Sequence, residues 1–190
     1  RLVDLDRTDP GDTVTLEGEP RVDLDSALAM DEARARLFLL APDGSMHTLD
    51  ARTGARLDDV ADPLPEGLGI TAAGGWLLAT SRAPAVRAWR LGEEPTVAWT
   101  VDLPRTPREM EVLPAQGLAV ITAGDGTRVL DLETGRLRLR LPAAAGVSSL
   151  QSGHVVLGTR DAPAGAGLWD LQHLPDDPGA DAGNRTNLRV

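Results

Sequence analysis

Short apolar runs punctuate this chain at a near-constant interval. Leu37-Phe38-Leu39-Leu40, Trp76-Leu77-Leu78-Ala79, Leu118-Ala119-Val120-Ile121 and Val155-Val156-Leu157 recur every 37 to 42 residues, counted between their first members. Each is three or four residues long and bounded by Gly or polar positions, the pattern of a strand buried on both faces. A weaker apolar stretch precedes each one, at 27–30, 68–71, 110–113 and 147–150. An apolar–polar–apolar step follows each one, as Leu49-Asp50-Ala51, Trp89-Arg90-Leu91, Leu130-Asp131-Leu132 and Trp169-Asp170-Leu171. Val3-Asp4-Leu5 is an earlier copy of that step. Beyond the step comes an alternating stretch, clearest in Leu137-Arg138-Leu139-Arg140-Leu141, where the pattern predicts Leu on one side, Arg on the other and a half-solvated edge strand.

Turn chemistry falls in the same register. Asp43-Gly44 and Asp125-Gly126 stand 82 residues apart, two periods, and Asp-Gly between apolar runs marks a hairpin. Thr53-Gly54 and Thr134-Gly135 follow two of the Asp steps. Helical periodicity is nearly absent; the helix formers of 30–36 fit a turn between strands.

Four strands in about 40 residues, repeated, predict an all-β fold, a β-propeller of four-stranded antiparallel blades. A single blade cannot bury its two faces without a neighbour on each side, which is why the unit repeats. The blades are expected at 21–62, 63–104, 105–143 and 144–190. Residues 1–20 read as the last two strands of a preceding blade, with 13–16 its outer edge, and 187–190 as a returning outer strand. A half-blade has no place in a closed ring, so the expectation is a segment of a larger ring of six to eight blades, completed by an upstream stretch or by another chain, with a small closed ring of four or five blades as the alternative. The start at Arg1 rather than Met reads as a processed product or a piece of a longer protein.

Composition then removes whole classes of chemistry. The 190 residues hold no Cys, so thiolate catalysis, Cys zinc sites and disulfides are excluded. All 19 basic residues are Arg; without Lys there is no Walker-type phosphate loop and no Schiff base. A net charge of −10 and a pI near 4.7 argue against a binder of nucleic acid. No apolar stretch approaches the roughly 20 residues that span a bilayer, so membrane insertion is not expected. Compartment is not legible.

The segments Leu49-Asp50-Ala51-Arg52-Thr53-Gly54 and Leu130-Asp131-Leu132-Glu133-Thr134-Gly135 resemble the repeats of bacterial PQQ-like and YVTN-type propellers. Glu94 to Trp99 resembles the end of a PQQ-like repeat, whose Trp docks one blade on the next. Asp125 to Leu132 and Leu168-Trp169-Asp170-Leu171 also resemble WD40 repeats. The matching positions of the other repeats lack the docking Trp, the Gly-His step of WD40 repeats is missing, and Arg90 stands where a repeat Asp is expected. Such propellers are mostly binding platforms, and nothing here matches the calcium and quinone ligands of the quinone dehydrogenases. The resemblance implies no cofactor.

The candidate residues divide between structure and recognition. Asp4, Asp50, Asp131 and Asp170 recur at one position, where a turn Asp accepts backbone N–H bonds; a ring of carboxylates around a channel is the alternative. Gly54 and Gly135 complete the repeat turn. Trp89, Trp99, Trp169 and Trp76 are expected in blade-to-blade packing, with partner anchoring as the alternative. Arg136, Arg138 and Arg140 form a basic stripe, a candidate contact for an acidic partner or an edge-strand guard. His47, His154 and His173 lack metal-ligand spacing. His154 beside Ser149 and Ser152 would need an acid and an oxyanion hole to act as a hydrolase. The pairs Asp4/Asp6 and Asp23/Asp25 fall short of a calcium shell, and Asp176-Asp177 reads as solvated loop. The function expected is non-catalytic: a protein-interaction or scaffold propeller with a protein partner. The alternatives are a small-ligand or sugar sensor of a receptor or kinase and a fragment of a PQQ-dependent dehydrogenase.

Overall fold

The computed structural model describes residues 27–141 apart from 42 and 58, with side chains as far as Arg140, and the backbone of further strands on either side. The strands run in chain order. β1 (Leu2–Val3) pairs with β2 (Thr13–Val14). β3 (Ala27–Asp31), β4 (Arg36–Leu40) and β5 (Met46–Asp50) form a three-stranded sheet. β6 (Gly67–Ala73), β7 (Trp76–Ser81), β8 (Ala85–Arg90) and β9 (Thr96–Asp102) form a four-stranded sheet. β10 (Pro107–Leu113), β11 (Leu118–Ala123), β12 (Gly126–Asp131) and β13 (Leu137–Leu141) form another. β14 (Gly146–Ser149), β15 (His154–Gly158), β16 (Ala166–Asp170) and β17 (Arg185–Thr186) make the last, after the first (β3–β5), second (β6–β9) and third (β10–β13). Every pairing is antiparallel between consecutive strands, so each sheet is a meander. The first strands stand side by side, β3 against β6, β6 against β10 and β10 against β14. This is the arrangement of propeller blades.

The continuous apolar runs exist because each second strand is packed from both sides. Along β7, Leu77 and Ala79 face the first sheet with Phe38, Leu40 and Met46. Trp76 and Leu78 face the third with Val112, Ala119 and Ile121. Alternate side chains point to opposite faces of a strand, so one strand serves two cores and no polar face remains.

The register makes the blades superimposable. Arg36 lies opposite Asp50, Trp76 opposite Arg90, and Leu118 opposite Asp131. The residue after each of these third strands donates its N–H to the turn between strands one and two: Ala51 to Ala35, Leu91 to Gly75, Leu132 to Gly117. All three acceptors have positive φ, at 48°, 83° and 66°.

Two details depart from the sequence reading. The first complete sheet has three ordered strands where the repeat predicts four. After the isolated bridge between Leu49 and Arg56 the chain follows β5 only loosely, through Leu57 N–H to the Thr48 carbonyl and Val60 N–H to that of Met46. Asp59, Asp62, Pro63 and Pro65 disfavour a strand there, and Asp62 takes φ 49°. The alternation along β13 is broken by a bulge between Val129 and Leu130. Leu139 is buried, Leu137 is exposed, Arg138 is half-buried and Arg136 and Arg140 are exposed, so the three Arg do not form an even row. An outer strand pairs with β16 at Arg185–Thr186; the expected strand at 187–190 lies outside the described residues.

Candidate functional site

The repeat turn is built from side chains close in sequence. Asp50 Oδ1 accepts the N–H groups of Arg52 and Thr53 at 2.9 and 2.8 Å and the Thr53 hydroxyl at 3.0 Å. Asp131 Oδ1 accepts Thr134 N–H at 2.9 Å and its hydroxyl at 2.7 Å. Gly54 and Gly135 follow with φ 74° and 69° and return their N–H groups to the Asp carbonyls. The bonds from Thr53 and Arg52 hold the Asp50 carboxyl below its ordinary range. In the second sheet Arg90 stands in this position. Its guanidinium lies 4.4 Å from the Trp76 ring and pairs with Glu133 in the next blade's turn.

These turns are where blades meet. Trp99 on β9 donates its indole N–H to the Leu132 carbonyl at 2.8 Å and packs on Gly135. Trp89, fully buried between the first and second sheets, donates to the Ala61 carbonyl at 3.2 Å. Between the first two sheets the turn after β8 is held by Arg36, which donates to the Gly92 and Glu93 carbonyls at 3.0 and 3.1 Å.

Beside that contact the packing leaves a cleft of about 630 Å³ between the first and second sheets. Thr48 and Leu57 line one side and Glu93, Glu94 and Pro95 the other, with Arg36, Arg56, Asp59 and Ala61 completing the wall. Thr48 is 3% exposed, and its Oγ1 is buried with no hydrogen-bond partner. A buried hydroxyl left unpaired costs about 1–3 kcal/mol.

The cleft's rim continues into a polar chain that local sequence spacing does not reveal. His47 Nδ1 lies 3.1 Å from Asp59 Oδ1, and His47 Nε2 lies 3.3 Å from Ser45 Oγ. Arg56 donates to Asp59 Oδ2 at 2.6 Å and lies 3.1 Å from His47 Nδ1. Burial raises the Asp59 carboxyl, but the Arg56 and His47 contacts outweigh it and leave it lowered. The Ser45 hydroxyl donates to Asp43 Oδ1 at 2.7 Å, and this contact together with the Ser45 N–H lowers the Asp43 carboxyl. A Ser–His–Asp order is thus present, but the hydroxyl points its proton at Asp43 and an Arg neutralises the acid. The alternation of Ser45 and His47 along one strand edge was the available signal.

Other sequence candidates are dispersed. Arg140 lies 3.4 Å from Asp125, whose carboxyl is lowered chiefly by its hydrogen bonds with Arg128. Arg136 is exposed beside its turn. Ser149, His154, Trp169 and Asp170 are placed only as strand positions; His154 lies opposite Asp170 and Val155 opposite Trp169. Asp4, Asp6, Asp23, Asp25, Ser152, His173, Asp176 and Asp177 lie outside the described residues. Among the described residues no three His, Asp or Glu side chains gather as a metal site, and no helix is long and apolar enough to cross a membrane.

No family model matches the chain, and no curated protein matches it. Solved structures do. BamB from Moraxella catarrhalis aligns with TM-score 0.62 and 15% identity, over 78% of this chain and 47% of its own. The computationally designed Ika4 protein aligns with TM-score 0.62 and 22% identity, over 83% of this chain and 96% of its own. The designed Ika8 protein aligns with TM-score 0.63 and 18% identity, over 80% and 47%. The chain thus spans about half the length of BamB and Ika8 and nearly all of Ika4. At these identities the likeness speaks to fold, and function does not follow from fold. The chain has the β-propeller fold.

Proposed function

We propose that this chain is a non-catalytic propeller-type binding module that recognises a protein partner, with the cleft between the first and second sheets as part of its recognition surface. The observation that carries the reading is the cleft itself. Elsewhere in the described core both strand faces are consumed by blade-to-blade packing, which leaves edges and turns for recognition. Here the packing stops short and leaves a pocket walled largely by charged side chains. The Ser45–His47–Asp59 chain supports an ordering role, since Asp43 and Arg56 satisfy both of its ends. The docking of Trp99 on the following blade favours a PQQ-like repeat over a WD40 repeat.

A second reading, a small-ligand or sugar sensor, draws on the same cleft, whose volume lies within the roughly 300–1,000 Å³ of small-molecule pockets. Two measurements test the first reading. The purified chain is assayed with ester, amide and glycoside substrates, and with alcohols and sugars in the presence of Ca²⁺ and PQQ. It is also used to capture partners, cross-linked through its carboxylates because it offers no Lys side chain. Cross-links at Glu93 and Glu94 without turnover are expected. Turnover that disappears in His47→Ala would overturn the reading, and a thermal shift with a sugar alone would favour the sensor.

A further inference from the structure

One apolar pair stands outside the cores that join the sheets. Leu28 and Met30, both on β3, are 50% and 49% exposed. Directly opposite residues of paired strands share a face. Leu28 lies opposite Leu39, Met30 opposite Leu37, and Leu37 in turn opposite Leu49. Leu37, Leu39 and Leu49 are buried, so this face of the first sheet is covered over β4 and β5 and open over β3. The repeat shows what belongs there. Counted from the pairs Arg36/Asp50, Trp76/Arg90 and Leu118/Asp131, the counterparts of Leu28 are Ile70 and Met110, and those of Met30 are Ala72 and Val112. Ile70 and Ala72 pack into the core that holds Phe38 and Leu40 of the preceding sheet's second strand and Ala27 of its first. Met110 and Val112 do the same with Trp76 and Leu78 of the second strand before them and Ala73 of the first.

We propose that Leu28 and Met30 are the docking face for a β-hairpin, the first two strands of a preceding blade, and that the stretch of the protein directly ahead of Arg1 supplies it. This face is separate from the cleft and does not depend on the binding-module reading. A second observation points to the same occupant. Val3-Asp4-Leu5 copies the step that closes the third strands, which makes β1 and β2 the third and fourth strands of that blade. β8 and β12 each have a strand on both sides, whereas among the described strands β1 pairs with β2 alone. An inner hairpin covers both surfaces, the open edge of β1 by backbone hydrogen bonds and the pair on β3 by apolar burial. The occupied copies give its chemistry: a small side chain on its first strand, and two large apolar side chains two residues apart on its second. Connectivity selects the source. Only 41–45, 82–84 and 124–125 join the second strand to the third in the first three sheets. A strand bonded to β1 therefore ends within a few residues of Leu2 and runs straight into it.

The test is the whole chain with a second copy of residues 67–86 placed directly before Arg1. Val3 aligns with Trp89 in the repeat, so Arg1 takes the place of Arg87 and the graft leads into β1 through its own turn. Tm is expected to rise by about 5 °C or more, with slower hydrogen exchange in β1. Leu28→Ser combined with Met30→Ser is expected to remove that gain from the grafted chain. In the original chain the same pair of changes is expected to shift Tm by less than about 2 °C, because exposed positions contribute little. No gain on grafting, or a gain that survives the double substitution, overturns the docking face. The coding sequence ahead of Arg1 tests the source. Two apolar stretches separated by a turn are expected there, the second ending a few residues before Leu2; an upstream sequence without them overturns the assignment. Concentration-dependent dimerisation of the original chain, abolished by the double substitution, also overturns it and gives the face to a second copy.

Discussion

Trp99 occupies the space that a side chain at residue 135 would need. A Cβ built on Gly135 comes within 2.8 Å of the indole Cδ2, and Gly135 has φ 69°. The glycine therefore answers two demands, a left-handed turn and the close approach of the neighbouring blade.

Gly135→Ala is expected to destabilise the protein by about 2–5 kcal/mol, the sum of left-handed strain and overpacking. Trp99→Ala is expected to cost about 3–5 kcal/mol. Because both act on one contact, the double variant should lose less than the two single losses together. Urea denaturation of all four proteins measures the cycle; strict additivity would show that residues 99 and 135 are energetically separate.

Ala35 holds φ 48° at a position where the next two blades have Gly75 and Gly117. Ala35→Gly is expected to stabilise by about 1 kcal/mol, because the left-handed conformation strains an Ala and not a Gly. The reverse change, Gly117→Ala, meets nothing within 4 Å. It should cost about 1 kcal/mol through strain alone. Denaturant midpoints with unchanged m-values would establish both.

Stability should fall in acid. The carboxyls of Asp43, Asp50, Asp59 and Asp125 are all held below the ordinary value of 3.8. The unfolded chain then takes up protons at higher pH than the folded one. The stabilisation is whole above the ordinary carboxylate value and is lost as pH drops through it and on through the lowered folded values. Asp50→Asn keeps an acceptor for Thr53 N–H but cannot titrate, so its stability should vary less steeply between pH 5 and about pH 2. Unfolding free energies across that span provide the comparison, and an identical slope would remove Asp50 from the effect.

Arg90 bridges two blades from an exposed position. Its pair with Glu133 has both side chains more than half exposed, and such pairs contribute about 0.2–1 kcal/mol. Its place over Trp76 adds about 0.5–1 kcal/mol. A double-mutant cycle of Arg90→Ala with Glu133→Ala should return a coupling under about 1 kcal/mol that shrinks at high salt. Coupling that persists in molar salt would point to a buried interaction instead.

The turn chemistry of Asp50 and Asp131 was readable because it is local: an Asp carboxylate reaches N–H groups two and three residues ahead, and the Gly after Thr permits the positive φ. The order of strands was readable for a related reason. A strand packed from both sides must be apolar at every position, so β4, β7 and β11 announce themselves without their neighbours. The irregular edge after Arg56 was partly legible in its Asp and Pro content, but the repeat concealed it.

The amino-acid order by itself determined the all-β repeat, the Asp-Thr-Gly turns and the exclusion of thiol and lysine chemistry, because each depends on residues within a few positions of one another or on plain composition. Only the tertiary structure decided that Trp99 meets Gly135, that Arg36 clamps the turn of the next blade, and that Thr48 is left unpaired in a cleft. Those contacts join residues 33 to 57 positions apart. They are set by how twisted sheets stack around a hub, and no local pattern records which side chain fills the space between two sheets and which space stays open.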